Sequence, residues 1–229
     1  MLIPRKKDPR MLRLKPPPNN LIYLITNRKS YQSDDRGSES DKQIEAVRIA
    51  AEAGCQLIQI REKDLDTVAL SRFSRLAIEA AHRYDKKVLI NDRLDVAFAV
   101  GADGVHLRVD SIPCSAARRA ADARGLTDFM IGVSTHSLDQ ALDAWNSGAD
   151  FIVCGPVFET PTKMAYGAPL GLERFGEVCR RVRIPVIALG GVTLANYREA
   201  IEAGAAGIAA IGLFANPDKL DEVIKELLT

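Results

Sequence analysis

The sequence has few of the features that mark secreted, membrane or redox proteins. Only four cysteines occur among 229 residues, and none has CxxC spacing. Cys55, Cys154 and Cys179 lie in apolar segments, as reduced core cysteines usually do. No apolar run approaches the length of a membrane span, and no signal peptide is visible. We therefore expect a cytoplasmic protein that does not enter a membrane.

An excess of charge of one sign is also missing. Lys and Arg number 31 against 30 Asp and Glu, which gives a formal net charge of +1. Nucleic acid is therefore not the expected partner, although a local basic patch can bind a phosphorylated small molecule. The basic, proline-rich segment 1–20 is the exception, and Pro16 to Pro18 exclude a regular helix across it. We predict that 1–20 is a flexible arm.

From residue 21 the chain alternates short β-branched runs with stretches of helical period. Eight runs are predicted to be strands: LIYLIT (21–26), LIQIR (57–61), KVLIN (87–91), GVHL (104–107), FMIGVS (129–134), FIVCG (151–155), PVIALG (185–190) and GIAAIG (207–212). Helical patterns lie between and after them at 42–52, 67–84, 95–100, 113–123, 137–147, 171–182, 194–203 and 217–228.

This alternation predicts that residues 21–229 form a single (β/α)8 TIM barrel. An open doubly wound sheet is the alternative that periodicity alone does not exclude. No GxGxxG follows the first strand, which weakens a dinucleotide-binding interpretation. Glycine-containing turns recur after helices in AEAGCQ, AVGADG, NSGAD and EAGAAG, and this weak repeat favours the barrel.

Polar residues follow almost every predicted strand, and a barrel brings the carboxyl ends of its strands to one mouth. They include Arg61 and Lys63, Asn91 and Asp92, Arg108 and Asp110, and Ser134. Cations and backbone N–H groups bind phosphate, whereas carboxylates bind Mg²⁺. The mixture predicts a site for a diphosphate bridged by Mg²⁺. None of the three histidines has metal-ligand spacing to another.

Three segments are the strongest candidates for ligand binding. Gln59, Arg61 and Lys63 alternate, so a continuing strand would point all three into the mouth; the alternative is that Arg61 and Lys63 have left the strand and are solvated. The turn Gly190-Gly191 follows the seventh predicted strand, where barrels commonly bind phosphate through backbone N–H groups. The long loop that contains ETPTK (159–163) offers hydroxyls and an ammonium group, as lid loops often do.

Taken as a set, these stretches resemble the thiamine phosphate synthase/TenI family. The matching segments are LIYLIT, QIREK, LINDR, GADGVHL, IGVSTH, GPVFETPTK, IPVIALGGV and AGAAGIAAI, which follow the family's order from residue 21 to about 225. The resemblance implies a Mg²⁺-dependent transferase that joins hydroxymethylpyrimidine diphosphate to thiazole phosphate. It implies small-molecule substrates, and it leaves a homo-oligomer open.

The resemblance also implies roles for individual residues. Catalytic roles fall to Arg61, Lys63, Ser134 and Lys163, and a Mg²⁺ ligand to Asp92. The implied pyrimidine diphosphate binders are Gln59, Ile60, Arg61, Glu62, Lys63, Asn91, Ser134 and Lys163. The implied thiazole phosphate site comprises Thr160, Pro161, Thr162, Gly190, Gly191, Ile211 and Gly212.

The chain departs from the family pattern at two places. Synthases usually read G-V-H-L-G-Q-x-D, with the last Asp on Mg²⁺; here Ser111 takes that position, Asp110 lies one residue earlier, and Arg108 replaces a glycine. Asp110 is still a candidate second Mg²⁺ ligand if this segment is a loop, whereas in a strand the one-residue shift would reverse its face. The Val-Ser pair that usually ends the eighth strand is Ile211-Gly212. Two alternatives follow. One is a TenI-like thiazole tautomerase, which would need His136 or another group as its base, because Pro156 stands where characterised tautomerases carry a His. The other is a non-catalytic barrel that binds a thiamine intermediate.

Overall fold

Eight parallel strands form a closed barrel in chain order, which confirms the predicted (β/α)8 architecture. A computed structural model describes residues 20–31, 34, 37–160 and 168–229. The strands are β1 (Leu21–Ile25), β2 (Leu57–Ile60), β3 (Lys87–Asn91), β4 (Gly104–Leu107), β5 (Met130–Thr135), β6 (Phe151–Cys154), β7 (Val186–Leu189) and β8 (Gly207–Ala210). β8 pairs with β1, so the described sheet has no free edge.

Helices follow the strands and cover the barrel. They are α1 (Glu39–Ala53), α2 (Thr67–His82), α3 (Leu94–Val100), α4 (Cys114–Asp122), α5 (Leu138–Asn146), α6 (Gly171–Arg181), α7 (Tyr197–Glu202) and α8 (Leu220–Leu227). α1 begins three residues before the predicted start at 42. The reason is a capping box, in which Ser38 and Asp41 satisfy each other's backbone N–H groups.

Two apolar clusters make up the core. The inner one fills the barrel, and its buried members are Leu21, Tyr23, Ile25, Leu57, Leu89, Met130, Phe151, Val153, Ile187 and Ala209. The outer and larger cluster lies between the strands and the helices. Gly132 makes room inside the barrel, because a Cβ there would lie 2.4 Å from Phe151 Cζ and 2.7 Å from His106 Nδ1. The interior is therefore packed, and ligands have access to its mouth rather than to a channel.

The predicted arm lies almost entirely outside the described residues, which begin at Asn20. The Asn20 side-chain Nδ2 donates to the carbonyl of Leu227 at 3.0 Å, which ties the start of β1 to the end of α8. Among the described helices, none combines the length and the apolar character that crossing a membrane requires.

Candidate active site

The segment after β2 alternates between the barrel interior and the outer layer. Gln59 lies on the inward side, where it contacts Tyr23, whereas Ile60 is 1% exposed and packs in the outer cluster. The side chain of Ile60 is therefore packed away from the mouth, and its role in substrate binding stays a prediction that only its backbone would fulfil. The backbone N–H of Arg61 donates to Thr26 Oγ1 at 3.0 Å, which fixes Arg61 beside the end of β1.

Glu62 braces the loops of the mouth rather than facing a ligand. Its carboxylate accepts from the backbone N–H of Arg28 at 3.1–3.2 Å and from the Arg28 guanidinium at 3.3 Å. Arg28 also makes two hydrogen bonds of 2.6 and 2.7 Å to Asp64. The carboxylate of Glu62 thus forms an ion pair that joins the loop after β1 to the loop after β2. This geometry favours a structural role for the carboxylate over a direct contact with substrate.

Lys63 lies outside the strand but within the same electrostatic cluster as Arg61. β2 ends at Ile60, so Gln59 belongs to the strand, whereas Arg61 and Lys63 both follow it and strand alternation positions neither of them. The charges of Arg61 and then Arg108, together with partial burial, lower the pKa of Lys63. Burial and the charge of Arg108 lower the pKa of Arg61. Neighbouring cations repel one another, and a bound anion would offset that repulsion.

Four polar side chains form a hydrogen-bonded chain inside the barrel. Gln59 Nε2 donates to Tyr23 Oη at 3.1 Å. Tyr23 Oη lies 3.3 Å from His106 Nδ1, and His106 Nε2 lies 2.9 Å from Ser134 Oγ. Tyr23, Gln59 and His106 are each at most 2% exposed. The chain therefore leads from the packed interior to Ser134, at the mouth end of β5.

The chemistry of this chain fixes the direction of its hydrogens. Burial lowers the pKa of His106 to about 3, so the imidazole is neutral at neutral pH. The Tyr23 oxygen accepts from Gln59, and its own hydrogen is then donated to Nδ1. Nε2 consequently carries the imidazole hydrogen and donates it to Ser134. The hydroxyl hydrogen of Ser134 is left to point toward a ligand at the mouth.

Sequence analysis did not identify Tyr23 and His106 as a pair. The only signal was that each is a polar aromatic residue in an otherwise apolar strand. Their partnership depends on which inward side chains of β1 and β4 meet across the barrel, and these two strands are not neighbours in the sheet.

Asn91 and Asp92 end β3 in a sharp turn at the mouth. The backbone of Asp92 has φ +65°, a left-handed conformation that Asp tolerates better than most residues. Its N–H donates to the carbonyl of His106 at 2.8 Å, so the turn is pinned to β4. Asn91 pairs with His106 in the β3–β4 ladder. A non-glycine residue in this conformation is typical of positions where geometry serves function.

Arg108, Asp110 and Ser111 surround the carboxylate of Asp92. The Ser111 hydroxyl donates to Asp92 Oδ1, and Arg108 Nη1 lies 3.9 Å from Asp92 Oδ2. Arg108 Nη2 also donates to Asp110 Oδ2. Ser111, which occupies the position of the family's second metal-binding Asp, thus contacts Asp92 directly. Asp110 is linked to Asp92 through Arg108.

The oxygen donors at this point match those that Mg²⁺ prefers. Asp92 and Asp110 carboxylates and the Ser111 hydroxyl are hard ligands, and Mg²⁺ is usually held by one or two carboxylates with substrate phosphates and water completing its shell. Among the described residues, no three His, Cys, Asp or Glu side chains gather as a self-sufficient metal site. The donor set therefore fits a Mg²⁺ that shares its ligands with a bound diphosphate.

Among the described residues, the far side of the mouth, after β6 and β7, presents the backbone of a tight glycine turn. Gly190 and Gly191 have φ +94° and +68°. A Cβ on Gly190 would lie 2.6 Å from Pro156 Cβ, and one on Gly191 would lie 2.3 Å from the Glu159 carbonyl oxygen. The loop after β6 therefore closes directly onto this turn, and only glycine fits. Phosphate binding by the turn stays a prediction.

The remaining predicted binders lie at the end of β8 or in the loop after β6. Ile211 packs against the inner cluster, and Gly212 opens a short 3₁₀ turn with nothing within 4 Å of a Cβ built on it. Thr160 is the last residue described before the gap in that loop. Pro161, Thr162 and Lys163 lie outside the described residues, so their predicted roles stay predictions.

His136 lies at the same end of the barrel, two residues beyond Ser134. Its Nδ1 donates to the carbonyl of Gly155. A neutral His136 would then carry its lone pair on Nε2. This is the arrangement a general base needs, and it keeps the isomerase alternative in view.

Comparison with known proteins gives a consistent result. A family model described as thiamine monophosphate synthase matches residues 22–214. A putative thiamine-phosphate synthase from Geobacter sulfurreducens is 41% identical, over 86% of this chain and 88% of that protein. The thiamine-phosphate synthase of Clostridium novyi is 33% identical, over 91% of this chain and 97% of that protein.

A solved structure agrees with these sequence matches. The thiamine phosphate pyrophosphorylase from Pyrococcus furiosus superimposes with a TM-score of 0.74 at 31% identity. The match covers 91% of this chain and 97% of that one. The likeness therefore extends over nearly the whole barrel, including every strand that contributes to the mouth.

Proposed function

The chain belongs to the thiamine monophosphate synthase family, and on that premise we propose that it joins hydroxymethylpyrimidine diphosphate to thiazole phosphate. The bond between the pyrimidine methylene carbon and the diphosphate oxygen breaks, and its electron pair leaves with the diphosphate. The thiazole ring nitrogen supplies the pair for the new C–N bond, which gives thiamine phosphate. That nitrogen carries no proton, so the reaction requires stabilisation of the departing charge more than a general base.

One observation carries the proposal: three cations converge on one side of the mouth beside a hydroxyl donor. The charge of Arg61 lowers the pKa of Lys63, and the charge of Arg108 lowers the pKa of both Arg61 and Lys63. Ser134 is oriented by His106 so that its hydrogen faces the same space. Together these groups bind and hold a diphosphate as it accumulates charge, which favours bond breaking over mere binding.

We propose Mg²⁺ as the cofactor, because the family's synthases use it and because the oxygen donors described above fit it. Asp92 would hold the ion, with Asp110 or Ser111 beside it. When bound, the metal supplies further neutralisation of the leaving diphosphate. Asn91, at the end of the same strand, would contact the pyrimidine diphosphate.

The second substrate is assigned to the other side of the mouth. The backbone of Gly190-Gly191 suits a phosphate that approaches closely, and a helix follows that turn. Thr160 and Thr162 of the neighbouring loop, and the backbone at Ile211-Gly212, would complete that site, whereas Lys163 of the same loop would bind the diphosphate. This arrangement would place the two rings between the two phosphate-binding sides, in line for displacement.

We also propose that the enzyme acts in the cytoplasm. Its four cysteines are free thiols, and three of them are buried. A reducing compartment suits such a set. Oligomerisation stays open.

The test is product formation by the full chain. Purified protein is incubated with pyrimidine diphosphate, thiazole phosphate and Mg²⁺, and thiamine phosphate is measured by mass spectrometry with and without EDTA. We expect product with Mg²⁺ and a large loss with EDTA. If Arg61→Ala and Asp92→Ala both retained full activity, the synthase assignment to this site would be wrong.

The tautomerase is the second candidate, and His136 is the observation that favours it. A lone pair on its Nε2 could remove and return a proton during aromatisation of a thiazole phosphate. Such an isomerase would need no metal, so its activity would survive EDTA and would be lost in His136→Gln. A barrel that binds both ligands without turnover would instead indicate a non-catalytic role.

A further inference from the structure

We propose that Arg108 is a further diphosphate-binding cation, beside Arg61 and Lys63, and that its pairing with Asp92 and Asp110 weakens metal binding in the substrate-free protein. The inference deepens the proposed synthase function and rests on it. Arg108 stands at a position where the synthases that this chain resembles usually carry glycine.

The position of Arg108 is set by the barrel. It directly follows β4, the strand between β3 and β5, which bear Asp92 and Ser134. His106, two residues earlier in β4, is buried in the interior, and Arg108 is the first residue after the strand, where it contacts Asp110 and approaches Asp92. The guanidinium therefore lies at the mouth, between the two carboxylates assigned to the metal and close to Arg61 and Lys63.

The charges around Arg108 are only partly balanced. Its guanidinium contacts Asp110 and lies 3.9 Å from Asp92. Arg61 and Lys63 are the neighbouring cations, so three positive groups face two carboxylates. An anion that enters this space relieves the repulsion between the cations. A diphosphate is the chemistry that fits, because two of its oxygens can accept parallel hydrogen bonds from two N–H groups of the planar guanidinium.

The same contacts put Arg108 in competition with a divalent cation. Asp92 Oδ2 and Asp110 Oδ2 face the guanidinium, and Asp92 Oδ1 accepts from Ser111. A metal that took these oxygens would meet a fixed positive charge beside it. Arg108 is 44% exposed, so it can leave the carboxylates for a phosphate oxygen without unfolding its surroundings. Metal and diphosphate should consequently bind better together than either does alone.

The experiment measures two affinities without turnover. Mn²⁺ binding to the substrate-free protein is followed by the electron paramagnetic resonance signal of free Mn²⁺, and binding of inorganic diphosphate in EDTA is followed by calorimetry. In Arg108→Gln we expect Mn²⁺ affinity to rise about fivefold, because a partly exposed ion pair and its repulsion are removed. We expect diphosphate affinity to fall about tenfold or more, because charge-assisted hydrogen bonds are lost.

Two variants control for general effects of charge and fold. Arg183→Gln makes the same charge change at an exposed position just before β7, at the opposite end of the barrel, and should change neither affinity. Arg108→Lys keeps the charge and should stay closer to wild type than Arg108→Gln. Either affinity unchanged in a folded Arg108→Gln protein would overturn the proposal. Failure of the synthase function would appear separately, as no thiamine phosphate from the wild-type protein.

Discussion

The two sides of the barrel mouth provide polar groups in different ways. On the side of β2 to β5, charged and hydroxyl side chains extend from the strand ends: Arg61, Asn91, Asp92, Arg108 and Ser134. On the side of β6 to β8 the described strand ends carry Gly155, Gly190, Gly191 and Gly212, and at Gly155 and Gly191 backbone packs closely against backbone. Side chains with mobile charge suit a leaving group whose charge develops during reaction. A rigid backbone turn suits a phosphate that stays unchanged throughout.

The strongest way to break this comparison is to remove charge from the first side. Arg61→Ala should lower kcat about 10²- to 10³-fold, as loss of one group that stabilises transition-state charge does. KM for thiazole phosphate, assigned to the other side, should change little. Arg183→Ala, at the opposite end of the barrel, is the matched control for steady-state kinetics. An equal loss in both variants would show that net charge rather than the site is responsible.

On the side of β6 to β8, a substitution in the glycine turn should instead lower the free energy of unfolding. In Gly191→Ala, a left-handed residue gains a Cβ 2.3 Å from the Glu159 carbonyl oxygen, and we expect about 2–4 kcal/mol of lost unfolding free energy in urea. Gly125→Ala is the control, because Gly125 has φ +69° but open space around a Cβ. Its cost should be about 1 kcal/mol. Similar losses in both variants would mean that the contact with the loop after β6 contributes nothing.

Acid should lower the stability of the protein through His106, which is buried inside the barrel beneath the side of β2 to β5. His106 is neutral down to a pKa of about 3, whereas in the unfolded chain it takes a proton near 6.5. The unfolded state therefore binds more protons between these values, and stability falls as pH decreases through that window. At pH 5 this contribution is about 2 kcal/mol relative to pH 8. Urea titrations should give a flatter pH dependence for His106→Gln, and an unchanged slope would contradict this.

The orientation of Ser134 can be tested without touching the mouth. Tyr23→Phe removes the hydroxyl that donates to His106 Nδ1, so the imidazole can take the other tautomer and accept from Ser134. We expect kcat to fall about tenfold with KM nearly unchanged, because one hydrogen bond to developing charge is lost. Tyr197→Phe loses a comparable buried hydroxyl, which donates to Glu226 at 3.3 Å between α7 and α8, and should leave kcat unchanged.

The barrel could be predicted from the sequence, but the contacts between the side chains inside it could not. All eight strands were predicted to within two residues at either end, because β-branched runs and helical periods alternate without interruption. Alternation also predicted the inward position of Gln59, yet it does not apply to Arg61 and Lys63, because the pattern does not reveal that β2 ends at Ile60. The Tyr23–His106 contact depends on barrel closure and strand stagger, which periodicity does not encode.

The smallest expected effect concerns Gly212, where the backbone side lacks the hydroxyl usual in the family. A Cβ at this position meets nothing within 4 Å, so Gly212→Ser should fold as the wild type does. If thiazole phosphate lies at the end of β8, the new hydroxyl should lower its KM about threefold, the scale of one neutral hydrogen bond. Gly212→Ala adds the same Cβ without the hydroxyl and should leave KM unchanged. If KM fell in both variants, the added Cβ rather than the hydroxyl would be responsible. If KM fell in neither, the thiazole phosphate would bind elsewhere on the mouth.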